Sequence, residues 1–147
     1  MTLQIKDLTY RDDESDFGTL IAFDVLAVAL APLVEPGPVW SVDNDWDGEL
    51  RTDSPMNFAT LTDAFAKTQA TPCTWDQLVK LLRQAFQFYD LEIDGRAAVS
   101  GLSDPSITLV NVDAVAWEIT GERAFLDRLA PAFQNAKVIE TPEQLRA

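Results

Sequence analysis

The apolar residues of this chain change period repeatedly, and the changes fall at Pro, Gly and Asp-rich breaks. Phe23, Leu26, Ala27 and Leu30 recur at helical spacing, so a helix is expected from near Phe17, with Asp16 as its N-cap. Pro32 and Pro36-Gly37-Pro38 should end it. Val39 to Trp46 then alternates as a strand, with Trp40, Val42 and Trp46 on one face. Asp47-Gly48 reads as a tight hairpin turn into Glu49-Leu50-Arg51. Phe58, Leu61 and Phe65 mark a short helix after Pro55, and Thr74 with Gln77 forms a capping box for the next. That helix would bury Trp75, Leu78, Val79, Leu82 and Phe86.

The second half repeats the mixture. Tyr89, Leu91 and Ile93 alternate into a second Asp-Gly turn at Asp94-Gly95, with a short strand continuing to Val99. Ile107 to Val110, Val115 to Ile119 and Lys137 to Glu140 are further strands, and Glu122 to Phe133 is an amphipathic helix that Pro131 shortens. Hairpins and helices without regular βαβ alternation predict an α+β fold. We expect a single domain over residues 1–147, with a mixed or mostly antiparallel sheet whose hairpins pack against about four helices. A hydrophobic fraction of 47%, with four Trp and eight Phe, is enough for a packed core.

Charge bears on partners rather than on fold. The formal net charge is −13, and residues 7–66 hold thirteen acids against two bases, Arg11 and Arg51. Such a surface repels nucleic acid and anionic membranes and attracts basic proteins or divalent cations. Histidine is absent, which excludes Ser-His-Asp and Cys-His nucleophile systems and His-containing metal sites. The lone cysteine, Cys73, cannot form an internal disulfide and fits a reducing compartment. It precedes a helix but has no histidine to activate it, so a packed thiol is expected. The N-terminus lacks the pattern of a signal peptide, and the run from Phe17 to Val34 is broken by Asp24 and Pro32. A cytoplasmic protein that does not enter a membrane is expected.

Two acidic segments stand out. Asp12, Asp13, Glu14 and Asp16 form one cluster, which is either a solvated loop or part of a binding patch. Asp43, Asp45, Asp47 and Glu49 form the other, around Trp46. The segment Asp43 to Gly48 matches the first half of an EF-hand calcium loop, but Ser54 stands where a bidentate Glu is needed. Hairpin geometry accounts for the same spacing. Trp46 either covers the sheet or offers a face to a partner's Arg or Lys. Asp24, in an apolar helix, is either a buried acid or a residue at the stripe edge facing water. Phosphate-binding glycine loops are absent, and basic residues do not interleave with aromatics, so nucleic-acid binding is not expected.

A small acidic domain without catalytic apparatus suits the neutralisation of a basic partner. Between Val112 and Phe133, a strand ending in Trp117-Glu118-Ile119 passes through Thr120-Gly121 into a helix. In general type and in this segment, the chain resembles small acidic bacterial immunity proteins of polymorphic toxin systems. The resemblance implies a non-catalytic inhibitor of a toxin, without cofactor, and assigns no site residues. The docking set read from the residues is Asp12, Asp13, Glu14, Asp16, Asp43, Asp45, Trp46, Asp47 and Glu49. Alternatives are a DNA mimic binding a DNA-binding protein, a calcium-binding module at Asp43 to Gly48, and a hydrolase using Asp and Glu alone.

Overall fold

The computed structural model describes residues 1–11, 18–34, 38–96 and 106–140. Its strands are β1 (Thr2–Ile5), β2 (Leu8–Arg11), β3 (Gly18–Leu20), β4 (Val39–Val42), β5 (Asp47–Leu50), β6 (Ala85–Arg96), β7 (Ile107–Val112), β8 (Ala116–Thr120) and β9 (Ala136–Ile139). Its helices are α1 (Phe23–Val34), α2 (Phe58–Ala70), α3 (Trp75–Leu82) and α4 (Arg123–Leu129), the last running into a 3₁₀ turn at Ala130–Ala132. Among the described residues, seven strands form an open antiparallel sheet in the order β4-β6-β7-β8-β1-β9, and β5 also pairs with β6. The expected α+β architecture is therefore the one observed.

The 12-residue β6 organises the sheet. One edge pairs with β7, and the other carries β4 opposite Ile93–Arg96 and then β5 opposite Ala85–Asp90. The hairpin expected at Asp47-Gly48 does not form, because β4 and β5 both pair with β6 and not with each other. Gly48 lies inside β5 with no positive φ. A Cβ there would sit 2.5 Å from the Gln87 carbonyl oxygen, so glycine permits close approach of two strands rather than a turn. Gly95 is likewise inside β6, and a Cβ on it would meet the Trp40 ring at 2.8 Å. The second Asp-Gly turn is thus replaced by a glycine seat for an indole.

Two irregularities in the β5–β6 ladder explain another departure. Asp47 and Gly48 face Asp90 and Phe88, and Glu49 and Leu50 face Gln87 and Ala85, so β6 carries an extra residue at Tyr89 and again at Phe86. The bulges change the inward spacing to Ala85, Phe88, Leu91 and Ile93. Phe86, expected on the buried face of α3, is a bulge residue 61% exposed. The three-residue spacing from Leu82 through Ala85 and Phe88 imitates a helical stripe.

Helix α1 starts at Phe23 rather than near Phe17. The segment before it is held extended: β3 pairs with β2, and the Ile21 amide donates to the Asp7 carbonyl. Asp16, the expected cap, lies outside the described residues, as does the expected strand end at Val99. The stripe Phe23, Leu26, Ala27 and Leu30 is buried as expected. Pro32 sits in the last turn rather than ending the helix; the carbonyl it leaves unbonded belongs to Val28, whose position is 74% exposed and open to water. The capping box of Thr74 and Gln77 forms, and α2 adds one from Asn57 and Thr60.

The helices share one face of the sheet. Phe23 of α1 packs on Trp117 and on Trp75, with ring centroids 6.0 Å apart in both pairs, and Trp75 of α3 packs on Trp40 at 5.1 Å. In α2, Thr68 accepts the Val42 amide at 2.8 Å through its hydroxyl and ties that helix to β4. Leu126 and Leu129 of α4 join the same buried cluster. No helix is long and apolar enough to cross a membrane among the described residues.

Candidate functional site

Alternation along a strand sends successive side chains to opposite faces. Because Leu91 and Ile93 point into the helix-covered core, Asp90, Glu92 and Asp94 point to the other face. Register extends this face across the sheet. Asp94 lies opposite Ser41 on one side and Thr108 on the other, and the Thr108 hydroxyl donates to it at 3.1 Å. Thr108, Thr120 and Thr2 continue the row, with the hydroxyls of Thr2 and Thr120 2.8 Å apart. Glu92, Val110, Glu118 and Gln4 form the next row, with the Gln4 amide 3.3 Å from Glu118. Asp90 faces Asp47 directly across the β5–β6 ladder.

The result is a run of carboxylates on the face away from the helices: Asp43, Asp47, Glu49, Asp90, Glu92, Asp94 and Glu118. Their proximity is electrostatically visible. Partial burial raises Glu92 above the ordinary carboxylate range, and Asp94, Asp43 and Asp90 add to the rise against the opposing pull of Arg96. Burial also raises Asp94, while the Thr108 hydrogen bond and Arg96 hold it down. Arg96 stands 3.7 Å from Asp94 and donates to Ser41 at 3.1 Å. Tyr89, aimed outward by its bulge, donates to Glu49 at 2.6 Å, which raises the phenol.

The structure sorts the docking residues expected from sequence. Asp43, Asp47 and Glu49 join the acidic face, and Asp45 is exposed beside it. Asp12, Asp13, Glu14 and Asp16 lie outside the described residues. Ile21, just after β3, is held on the helix-bearing side, where the Trp117 indole donates to its carbonyl at 2.9 Å. Trp46 is corrected. It is only 6% exposed, stacks on Phe58 at 4.5 Å, meets Phe65 and Phe88 edge-on, and donates to Thr62 at 2.8 Å. No ring face remains for a partner's cation.

The calcium-loop reading loses its geometry as well. A cation needs the chain to curl, yet Asp47–Leu50 is extended strand. Asp43 accepts the Asp45 amide at 3.0 Å, and Asp47 accepts the Gly48 amide at 2.9 Å, so both carboxylates serve the local backbone. Among the described residues no three of His, Cys, Asp and Glu are grouped to hold a metal ion. Asp24 is at the stripe edge, bridging Arg83 at 2.9 Å and Arg51 at 3.1 Å. Cys73 is buried, and burial pushes its thiol up, away from reactivity.

Sequence reasoning missed Asp90, Glu92, Asp94 and Glu118. Their signal is present as Asp-x-Glu-x-Asp within an alternating strand, masked by reading Asp94-Gly95 as a turn. Comparison of the chain with protein-family models, with curated proteins and with solved structures finds no match.

Proposed function

We propose that this chain is a non-catalytic acidic binding protein of the immunity type, which neutralises a basic protein partner such as a toxin. The observation that carries the reading is the row of carboxylates on β6, Asp90, Glu92 and Asp94, joined by Asp43 and Asp47 from the adjoining edge. Like charges directly opposite in a sheet are destabilising, by roughly 0.2–1 kcal/mol per pair. The Asp47 carboxylate holds the Gly48 amide, but that bond does not require a second acid opposite it at Asp90; a basic partner gives the pairing a use, because its charges relieve the repulsion on contact. Such a surface also accelerates encounter with a cationic protein.

The test is co-expression with the product of the neighbouring reading frame. A complex is expected whose association rate falls steeply with salt. Converting Asp43, Asp47, Asp90, Glu92 and Asp94 to their amides should abolish it. Undiminished binding by that variant overturns the assignment. A DNA mimic is the second reading, favoured by carboxylates repeating at every second residue, about 6.7 Å apart along β6. It requires a partner that DNA displaces competitively.

A further inference from the structure

A pocket of about 210 Å³ opens at the helix-bearing side of the sheet, below the N-terminus of α1. Its walls are largely apolar, formed by Ile21, Phe23, Leu82, Phe88 and Trp117. Phe86, aimed outward by its bulge, stands at the rim, which accounts for so large an exposed ring.

Three further features converge there. First, Asn111 lines the pocket although it is only 2% exposed. Its side chain accepts the Ala114 amide at 3.0 Å, which identifies the accepting atom as Oδ1 and leaves Nδ2 as a donor. Among the described residues no acceptor faces that Nδ2, and it is not sealed from water, so a ligand in the pocket can reach it. Second, Asp113 and Ala114, at φ of +50° and +56°, are the central pair of the turn that closes the β7–β8 hairpin, with the Val115 amide bonded to the Val112 carbonyl. This turn places Ala114 in the pocket wall and Asn111 beneath it. Third, Arg51 and Asp24 line the mouth, and Asp24 is shared between Arg51 and Arg83. Arg83 lies outside the lining, but its bond to Asp24 means that this carboxylate does not serve Arg51 alone.

We propose that this pocket binds a small organic monocarboxylate with a compact apolar body. The carboxylate would take free donors of Arg51, the body would lie against Trp117 and Phe88, and a polar atom on it would accept from Asn111 Nδ2. A cavity of about 150 Å³ holds a benzene ring, so this one has room for a single ring or short branched chain with an acidic arm. A dianion fits poorly, because Asp24 remains at the mouth. The proposal is independent of the acidic face, which lies on the other side of the sheet.

The experiment titrates the ¹⁵N-labelled full chain with 3-(4-hydroxyphenyl)propanoate, 5-oxohexanoate and the neutral 3-(4-hydroxyphenyl)propanamide, following the Asn111 side-chain amide. Saturable shifts are expected with at least one carboxylate, and the neutral amide should bind about tenfold more weakly. Arg51→Gln should weaken the carboxylate by a similar factor and leave the neutral amide unchanged. The proposal is overturned if neither carboxylate moves the Asn111 resonances at millimolar concentration, or if acid and amide bind alike. The acid–amide comparison uses the unaltered protein, so it decides the matter even if Arg51→Gln perturbs the fold.

Discussion

Replacing Gly48 separates two accounts of the same dipeptide. If Asp47-Gly48 were a hairpin turn, Gly48 would hold a positive φ, and Asn, which tolerates that conformation, would be the mildest replacement. In the structure Gly48 is extended, and a Cβ would stand 2.5 Å from the Gln87 carbonyl oxygen, 3.1 Å from the Trp46 ring and 3.2 Å from the Phe88 Cα. Ordinary contact begins at 3.4 Å, so the strands must part by about 0.9 Å. Two of the three obstacles are backbone atoms that no rotamer change can remove. Overpacking of this kind costs about 1–3 kcal/mol. A ladder hydrogen bond lengthened by that amount no longer qualifies as one, for about 1 kcal/mol more. Gly48→Ala should therefore lose roughly 2–4 kcal/mol in urea unfolding, and Tm should fall by roughly 4–16 °C for a chain of this size. Gly48→Asn, with more atoms in the same gap, should lose at least as much. A Gly48→Asn variant more stable than Gly48→Ala would refute the strand placement of Gly48 and restore the turn.

Other perturbations probe the acidic face and the core. Glu92→Gln should stabilise the protein near neutral pH by roughly 0.5 kcal/mol, about one like-charge cross-strand contact. Folding raises the Glu92 pKa, so its ionisation costs stability as pH climbs through the folded value; the variant's advantage should vanish below about pH 4 in pH-dependent urea titrations. Trp46→Ala should cost about 3–5 kcal/mol through the cavity left among Phe58, Phe65 and Phe88. Because Trp40, Trp46, Trp75 and Trp117 are each no more than 6% exposed, iodide should scarcely quench native fluorescence. Thr74→Ala should lose about 1 kcal/mol of thermal stability through the α3 cap. Asp24→Ala should cost no more than about 1 kcal/mol despite two ion pairs, since all three side chains are well exposed.

Local patterns with a single cause were readable from sequence. The stripe Phe23, Leu26, Ala27 and Leu30 buries one face because side chains at those intervals share a side of any helix. Thr74 and Gln77 cap α3 because the donors and acceptors involved lie within one turn. The acidic character of Asp43, Asp47 and Glu49 was equally plain. Patterns with two causes were misread. Asp-Gly serves both tight turns and close approach, and the choice at Gly48 and Gly95 depends on Gln87 and Trp40, residues remote in sequence. Trp46 among carboxylates looks like an exposed anchor until Phe58, Phe65 and Phe88 close around it.

Composition and periodicity were enough to establish an acidic α+β chain with an aromatic core and no histidine chemistry, because each depends on residue identity or on neighbours within a turn or two. Tertiary pairing decided where the charge lies and what surrounds it. A strand's face is known only once its register and bulges are known, and those are set by partners tens of residues away. Thus β6 turned Asp90, Glu92 and Asp94 outward beside Asp43 and Asp47, and its bulges sent Phe86 and Tyr89 to the surface. The same long-range packing brought Arg51, Asn111 and Trp117 around one pocket, a grouping that no local spacing encodes.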